Sequence, residues 1–306
     1  MTSNPLVILG PTASGKSDVA MALAARHPDA EIVAVDAMQV YRGMDIGTAK
    51  PSQADRLAVA HHCLDLVDAG EEFTVADYAR AAEAALATIE GRDHRAVLVA
   101  GTGLYLRSVT DPMEVPGRWP EIRRSIEARV AANGLPMLHQ ELRTLDPVAA
   151  AKMEPTNERR VVRALEVTLG SGRAFSSFGP GLDTYAPVRF TQFGLRWPRP
   201  LLAKRISDRV RRMIELGLLA EVASLAQHPI SRTARQALGY KELLEHLVGE
   251  VSLDQAIETI ITRTRQFAVR QERWFRRDPR IRWIDIDDDP VATALPVLEA
   301  AWQTSN

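Results

Sequence analysis

Cysteine is nearly absent: Cys63 is the only one among 306 residues. An intramolecular disulfide is excluded, and with it any scaffold held together by such bridges. No run of about 18 or more apolar residues occurs, so no membrane-spanning helix is expected. The opening MTSNPLVILG lacks the charged-then-apolar pattern of a secretory leader and runs at once into an apolar stretch, so none is expected. Internal repeats and low-complexity tracts are missing too. These absences lead to the expectation of a cytoplasmic protein outside any membrane; a monomer is expected as well.

Net charge is also small, at −1, but it is unevenly spread. Residues 1–115 carry 9 Lys and Arg against 16 Asp and Glu, whereas residues 116–306 carry 29 against 23. A basic excess of this kind suits either a polyanionic partner or plain solvated helix surface. With 46% apolar residues, the chain is long enough to bury a substantial core.

The first 110 residues alternate short apolar runs with helical patterns. PLVIL, EIVAV and AVLVAG read as buried strands, and SDVAMALAARH as a helix. In FTVADYARAAEAALATIEG, Thr74 and Asp77 form a capping box. Tyr78, Ala82, Ala85 and Ile89 share one face of that helix, and Gly91 ends it. Apolar strands separated by helices imply a parallel sheet covered on both faces. From Pro116 to Tyr185 the strand signal disappears and four helical segments follow; in the last, Val161, Leu165, Val167 and Leu169 supply apolar positions. VRFTQFGLRW restores a strand, so the helical block reads as an insertion. The expected organisation is an α/β core over 1–115 and 186–306 with an all-helical insertion over 116–185. Residues 199–225 read as one long amphipathic helix. Residues 252–278 read as another, capped by Ser252 and Gln255, with Arg263, Arg270, Arg273 and Arg277 along one arc.

The chemistry concentrates in GPTASGKS, Gly10 to Ser17, between the first strand and its helix. This is the P-loop pattern in its proper context. Its amides and the helix N-terminus make an anion site. Gly10, Thr12, Ala13, Ser14, Gly15, Lys16 and Ser17 are the candidate phosphate ligands, and Ser17 is the candidate Mg2+ ligand. An ATPase also needs an acid ending a neighbouring strand. AVLVAG ends instead in Gly101-Thr102-Gly103, and only EIVAVD puts an acid, Asp36, at the carboxyl edge. There Asp36 suits action on an acceptor, while Thr102 suits close approach to a ligand or a simple turn. HHCLD, His61 to Asp65, lacks a second ligand pair at zinc spacing and reads as structural.

GPTASGKS, VDAMQVYRGMDIGTAKP, HHCLDLVD, AGTGLYL, PEIR, DPVAAAKMEPTNERRVVRALEV, QALGYKEL and TRQFAVRQERWFR occur together and in order. As a set they resemble the bacterial tRNA dimethylallyltransferases, over about residues 6–285. The resemblance implies a P-loop kinase-like core and a reaction. Dimethylallyl diphosphate would prenylate the exocyclic amine of the adenine 3′ of the anticodon, in tRNAs reading codons that begin with U, and release diphosphate. The loop then holds a leaving group, with Mg2+ as cofactor and the anticodon stem-loop as partner. Asp36 is implied as the catalytic base, with Thr102 and Arg123 near the reacting groups. Asp36, Ala37, Met38 and Gln39 would contact the target nucleotide. Three further segments are implied to face tRNA: Arg159, Arg160, Val161, Val162 and Arg163; Gln236, Gly239, Tyr240 and Lys241; and Arg270, Gln271, Arg273 and Arg276. Ala37 departs from the Ser common at that position. The alternatives left open are a P-loop kinase using ATP on a small molecule and an isopentenyltransferase acting on free AMP.

Overall fold

In a computed structural model, residues 4–179 and 181–304 are described. The chain divides into two compact units, Met1–Thr110 with Tyr185–Asn306, and Asp111–Thr184.

The first unit is built on six strands: β1 (Leu6–Leu9), β2 (Ala30–Val35), β3 (His61–His62), β4 (Arg95–Ala100), β5 (Thr191–Arg196) and β6 (Arg282–Asp285). All pair in parallel, in the order β3-β2-β4-β1-β5-β6. Its early helices are α1 (Lys16–Ala24), α2 (Gln53–Ala58), α3 (Val75–Glu90) and α4 (Gly103–Thr110). The second unit holds α5 (Pro120–Asn133), α6 (Leu135–Leu145), α7 (Pro147–Ala151) and α8 (Glu158–Ser171). The first unit resumes with α9 (Arg199–Glu215), α10 (Leu218–Leu225), α11 (Arg232–Arg235), α12 (Tyr240–Leu247), α13 (Leu253–Phe275) and α14 (Pro290–Thr304).

Successive residues of a strand point to opposite faces, so a sheet covered on both sides needs two cores. Val7 and Leu9 enter one, which also holds Tyr78 of α3, Val222 of α10, Leu243 of α12 and Ile260 of α13. Leu6 and Ile8 enter the other, with Val19 of α1, Ile206 of α9 and Leu298 of α14.

The capping boxes expected at Thr74/Asp77 and Ser252/Gln255 are both formed. On α3 the buried stripe is Tyr78, Ala82, Leu86 and Ile89, so Leu86 takes the place expected of Ala85. The single long helix expected over 199–225 is two helices. The chain turns left-handed at Gly217 (φ 100°), which ends the first and starts the second in a new direction.

The helical unit closes on its own core of Ile126, Leu138, Leu142, Val161, Val162 and Leu165. Leu169 is exposed rather than buried, because the last turn of α8 extends past that core. A buried carboxylate, Glu166, ties the unit's start to α8. It accepts from the Trp119 amide (3.0 Å) and pairs with Arg123 (3.2 Å) and Arg163 (2.9 Å).

Candidate active site

Register places the chemistry. Ala100 of β4 lies opposite Leu9 of β1 on one side and Val35 of β2 on the other. The next residue on each strand is Gly10, Gly101 or Asp36, so the P-loop, the GTG turn and the acid emerge side by side at the carboxyl edge. β4 intervenes between β1 and β2, and Gly101 therefore sits between the loop and Asp36. A Cβ on Gly101 would come within 3.3 Å of Asp36 Oδ2 and 3.5 Å of both Lys16 Cε and Gln271 Nε2. Glycine there lets the three groups converge.

The P-loop curls through two left-handed residues, Ala13 (φ 63°) and Gly15 (φ 85°), and enters α1 at Lys16. Distant side chains hold it in place. The Thr12 amide donates to Gln271 Oε1 (2.9 Å), and Gln271 Nε2 donates to the Gly101 carbonyl (2.6 Å). Trp197 Nε1 donates to the Ser14 carbonyl (3.0 Å), and Arg205 Nε donates to the Ala13 carbonyl (2.9 Å). With the Ala13 and Ser14 carbonyls taken, the loop is held in a fixed shape, as a preorganised anion site requires.

Among the described residues, Lys16 has a single long hydrogen bond, to the Pro11 carbonyl at 3.5 Å. Burial, and then the Arg209 charge, bring its pKa down to about 8, against the opposing pull of Asp36 and Asp18. Arg209 has no hydrogen bond or ion pair among the described residues. Burial lowers its pKa, with Asp36 and Asp18 opposing. Both cations line a cleft of about 1130 Å³ with Ser17, Asp18, Arg205 and Asp208.

The Asp36 carboxylate is fixed by its own turn. Oδ1 accepts from the amides of Met38 (2.8 Å) and Gln39 (3.4 Å). Thr102 Oγ1 accepts from the Ala37 amide (3.4 Å), which ties β4 to the same turn. Gln39 Nε2 donates to the carbonyls of Thr48 (3.0 Å) and Ala49 (3.3 Å). Residues 41–52 thus fold back over the edge and line the cleft, with Lys50 anchored on Asp45 (2.8 Å) and Asp65 (2.5 Å).

Ser17 and two carboxylates, of Asp18 and Asp208, line the cleft, and all are hard oxygen donors. Among the described residues no group of three or more His, Cys, Asp or Glu could hold a metal ion. That donor set fits Mg2+, which commonly keeps waters and takes substrate phosphate oxygens rather than a complete protein cage. In HHCLD, His62 pairs with the buried Glu31 (2.6 Å), a packing role in β3.

Several expected nucleic-acid residues take other positions. Val161 and Val162 are core residues of the helical unit and have no face to offer a partner; this corrects the expectation, since amphipathic α8 must bury one side. Tyr240 is also buried, with its hydroxyl donating to Glu221 (2.5 Å). Gln271 is buried as the bridge between the P-loop and Gly101. Gly239 is buried, and its amide is taken by Glu242 (2.9 Å). Arg163 is committed to Glu166 and to the carbonyls of Pro116 (2.9 Å) and Gly117 (3.0 Å). Arg123 pairs with Glu127 (2.9 Å) and Glu166 (3.2 Å) inside its own unit. Arg159, Arg160, Gln236, Arg270, Arg273 and Arg276 are exposed, and Arg276 pairs with Glu272 (2.7 Å). Lys241 is half-buried near Glu245 (3.8 Å). Arg205, Arg209 and Trp197 were not expected from sequence. Arg205 and Arg209 lie on the basic helix α9, and Trp197 lies in the short link from β5 to it.

No helix among the described residues is long and apolar enough to cross a membrane. The chain is 47% identical over 285 residues to a tRNA dimethylallyltransferase of Geobacter metallireducens, covering 92% of each. It is 45% identical to that of Corynebacterium efficiens, covering 96% of this chain and 98% of the relative. A full-length tRNA isopentenylpyrophosphate transferase of Bacillus halodurans superposes with a TM-score of 0.70 at 34% identity, covering 99% and 98% of the chains. A eukaryotic dimethylallyltransferase described as acting on tRNA superposes with a TM-score of 0.76 at 26% identity, covering 99% of this chain and 76% of that one. The sequence model of the IPP transferase family matches residues 39–278, and the chain belongs to that family.

Proposed function

We propose that this protein transfers the dimethylallyl group of dimethylallyl diphosphate to the exocyclic amine of the adenine next to the anticodon of tRNA, releasing diphosphate. One observation carries the reading: a braced P-loop with two cations that no acid of the described residues pairs, Lys16 and Arg209, stands across Gly101 from a fixed carboxylate, Asp36. Charge that grows on a departing diphosphate meets the loop amides, Lys16 and Arg209. The amine's lone pair is conjugated with its ring, so attack is helped when Asp36 accepts the amine proton. Because the Met38 and Gln39 amides occupy Oδ1, Oδ2 is the oxygen left for that proton. Mg2+ on Ser17 and the diphosphate would supply further neutralisation of the leaving group.

The exposed cations Arg159, Arg160, Arg270 and Arg273 suit RNA phosphates, which position without reading sequence. Ala37, Met38 and Gln39, on the Asp36 turn, would border the extruded adenine. Codon preference for U in the first position and the role of Arg123 near the reacting groups rest on resemblance alone. The transferase description of the relatives favours this reading over ATP-dependent phosphorylation or free AMP as acceptor.

The test is incubation of the protein with total tRNA, Mg2+ and dimethylallyl diphosphate, followed by nucleoside mass spectrometry. A dimethylallyl-adenosine product is expected from tRNA and not from AMP. No product from tRNA, or consumption of ATP in place of the prenyl donor, would sink the proposal.

A further inference from the structure

We propose that Glu221 and Tyr240 act as a clamp that positions the Asp36 turn from outside the site, so that both are positioning residues for the reaction proposed above. Glu221, on α10, accepts from three successive amides of the loop: Asp45 (3.0 Å), Ile46 (2.7 Å) and Gly47 (3.2 Å). Consecutive amides converging on one carboxylate form an anion nest, and charge-assisted bonds of this kind are the strong ones. Tyr240, at the start of α12, donates to the same carboxylate (2.5 Å). Its ring lies against Gly47, where a Cβ would come within 2.7 Å of the hydroxyl oxygen. Tyr240 is buried, at 3% exposed, and Glu221 is half-buried. Burial and the Glu221 charge raise the Tyr240 pKa well above its ordinary range, so the phenol remains a donor at any working pH.

The nest sits one residue before the carbonyls of Thr48 and Ala49 that receive Gln39 Nε2. The Gln39 amide, in turn, faces Asp36 Oδ1 along with that of Met38. An unbroken series of bonds therefore runs from α10 and α12, through the loop and Gln39, to Asp36. The P-loop is braced separately, by Gln271, Trp197 and Arg205. Loosening the clamp should then misplace the base without loosening the diphosphate site.

Two arms test this, using the full chain and the variants Glu221→Gln and Tyr240→Phe, the second of which removes a single oxygen. In amide hydrogen exchange, both should raise the rates at Asp45, Ile46 and Gly47, and also at Met38 and Gln39, while the P-loop amides stay as in the unaltered protein. In steady-state transfer with tRNA and dimethylallyl diphosphate, Tyr240→Phe should lower kcat about tenfold and leave the KM for the diphosphate within about twofold. Because the effect travels through Gln39, adding Tyr240→Phe to Gln39→Ala should cost less than about twofold more. Unchanged exchange at Met38 and Gln39 overturns the proposal. So does a rise in donor KM with kcat retained, or independent multiplication of the Gln39 and Tyr240 effects. The exchange arm reads the clamp without the reaction, so absence of transfer by the unaltered protein would count against the proposed function alone.

Discussion

Arg209 and Arg163 are both half-buried arginines on helices, yet they live in opposite surroundings. In the helical unit, the buried Glu166 gathers Arg123, Arg163 and the Trp119 amide, and two backbone carbonyls complete Arg163. At the sheet edge, Arg209 has no bonded acid and stands beside Lys16, whose proton it loosens. A cation that its own fold neutralises is holding structure together. Two like charges held side by side in a half-buried cleft cost stability and persist where a ligand offsets the cost. The location of unneutralised charge therefore separates the chemical region of this molecule from its scaffolding more reliably than the count of arginines does.

The comparison predicts a graded set of effects. The largest belongs to Asp36, the acid that the edge cations face. Asp36→Ala should lower transfer at saturating substrates by about 10²–10⁴ with tRNA affinity nearly kept. Turnover close to that of the unaltered protein would assign the proton to another group.

Next come the cations themselves. Lys16→Ala or Arg209→Ala should weaken dimethylallyl diphosphate binding by about 10–100-fold, the value of one charge-assisted contact. Arg163→Ala should leave that affinity unchanged and lower the melting temperature instead. Calorimetry and thermal denaturation on the three variants check the contrast. Equal loss of donor affinity in all three would erase it.

The depressed Lys16 pKa makes a smaller, pH-dependent effect. The free site holds a protonated Lys16 below about pH 8 and loses the proton above it. A bound diphosphate favours the charged form, so binding above that pH takes up a proton. Donor affinity should be flat between pH 6.5 and 7.5 and fall by up to about tenfold from pH 8 to 9. Binding isotherms across this range should lose most of that slope in Lys16→Ala. A slope that survives the substitution would place the titrating group elsewhere.

The smallest effects belong to the exposed arginines. Removing Arg159, Arg160, Arg270 or Arg273 should each flatten the plot of log tRNA affinity against log salt by about 0.7–0.9 if it meets one phosphate. Arg163, already neutralised, should leave the slope alone. If all four exposed variants keep the original slope, the RNA-facing surface lies elsewhere.

Much of the candidate site's local geometry could be read from the chain because its signals are short-range. The P-loop needs one strand, eight residues and a helix start. The capping boxes at Thr74/Asp77 and Ser252/Gln255 close over three residues. Asp36 is recognisable as the acid that ends an apolar strand. The misreadings have a common source. The break at Gly217 depends on a left-handed backbone that glycine permits but does not require. Val161, Val162 and Tyr240 sit in segments rich in charge, and periodicity does not say which side of a short helix meets a core.

The linear order of residues by itself determined the anion loop, the acid, the alternation of strands with helices and the uniformly helical stretch between them, since each depends on bonds or spacings within one or two turns. Only the tertiary structure decided that β4 separates β1 from β2, that Gln271 braces a loop 259 residues earlier, and that Glu221 and Tyr240 grip Asp45 to Gly47. These pairings join groups with no local preference for one another. They come together because burying both faces of a twisted parallel sheet leaves the helices few places to pack, and packing then chooses which side chains meet.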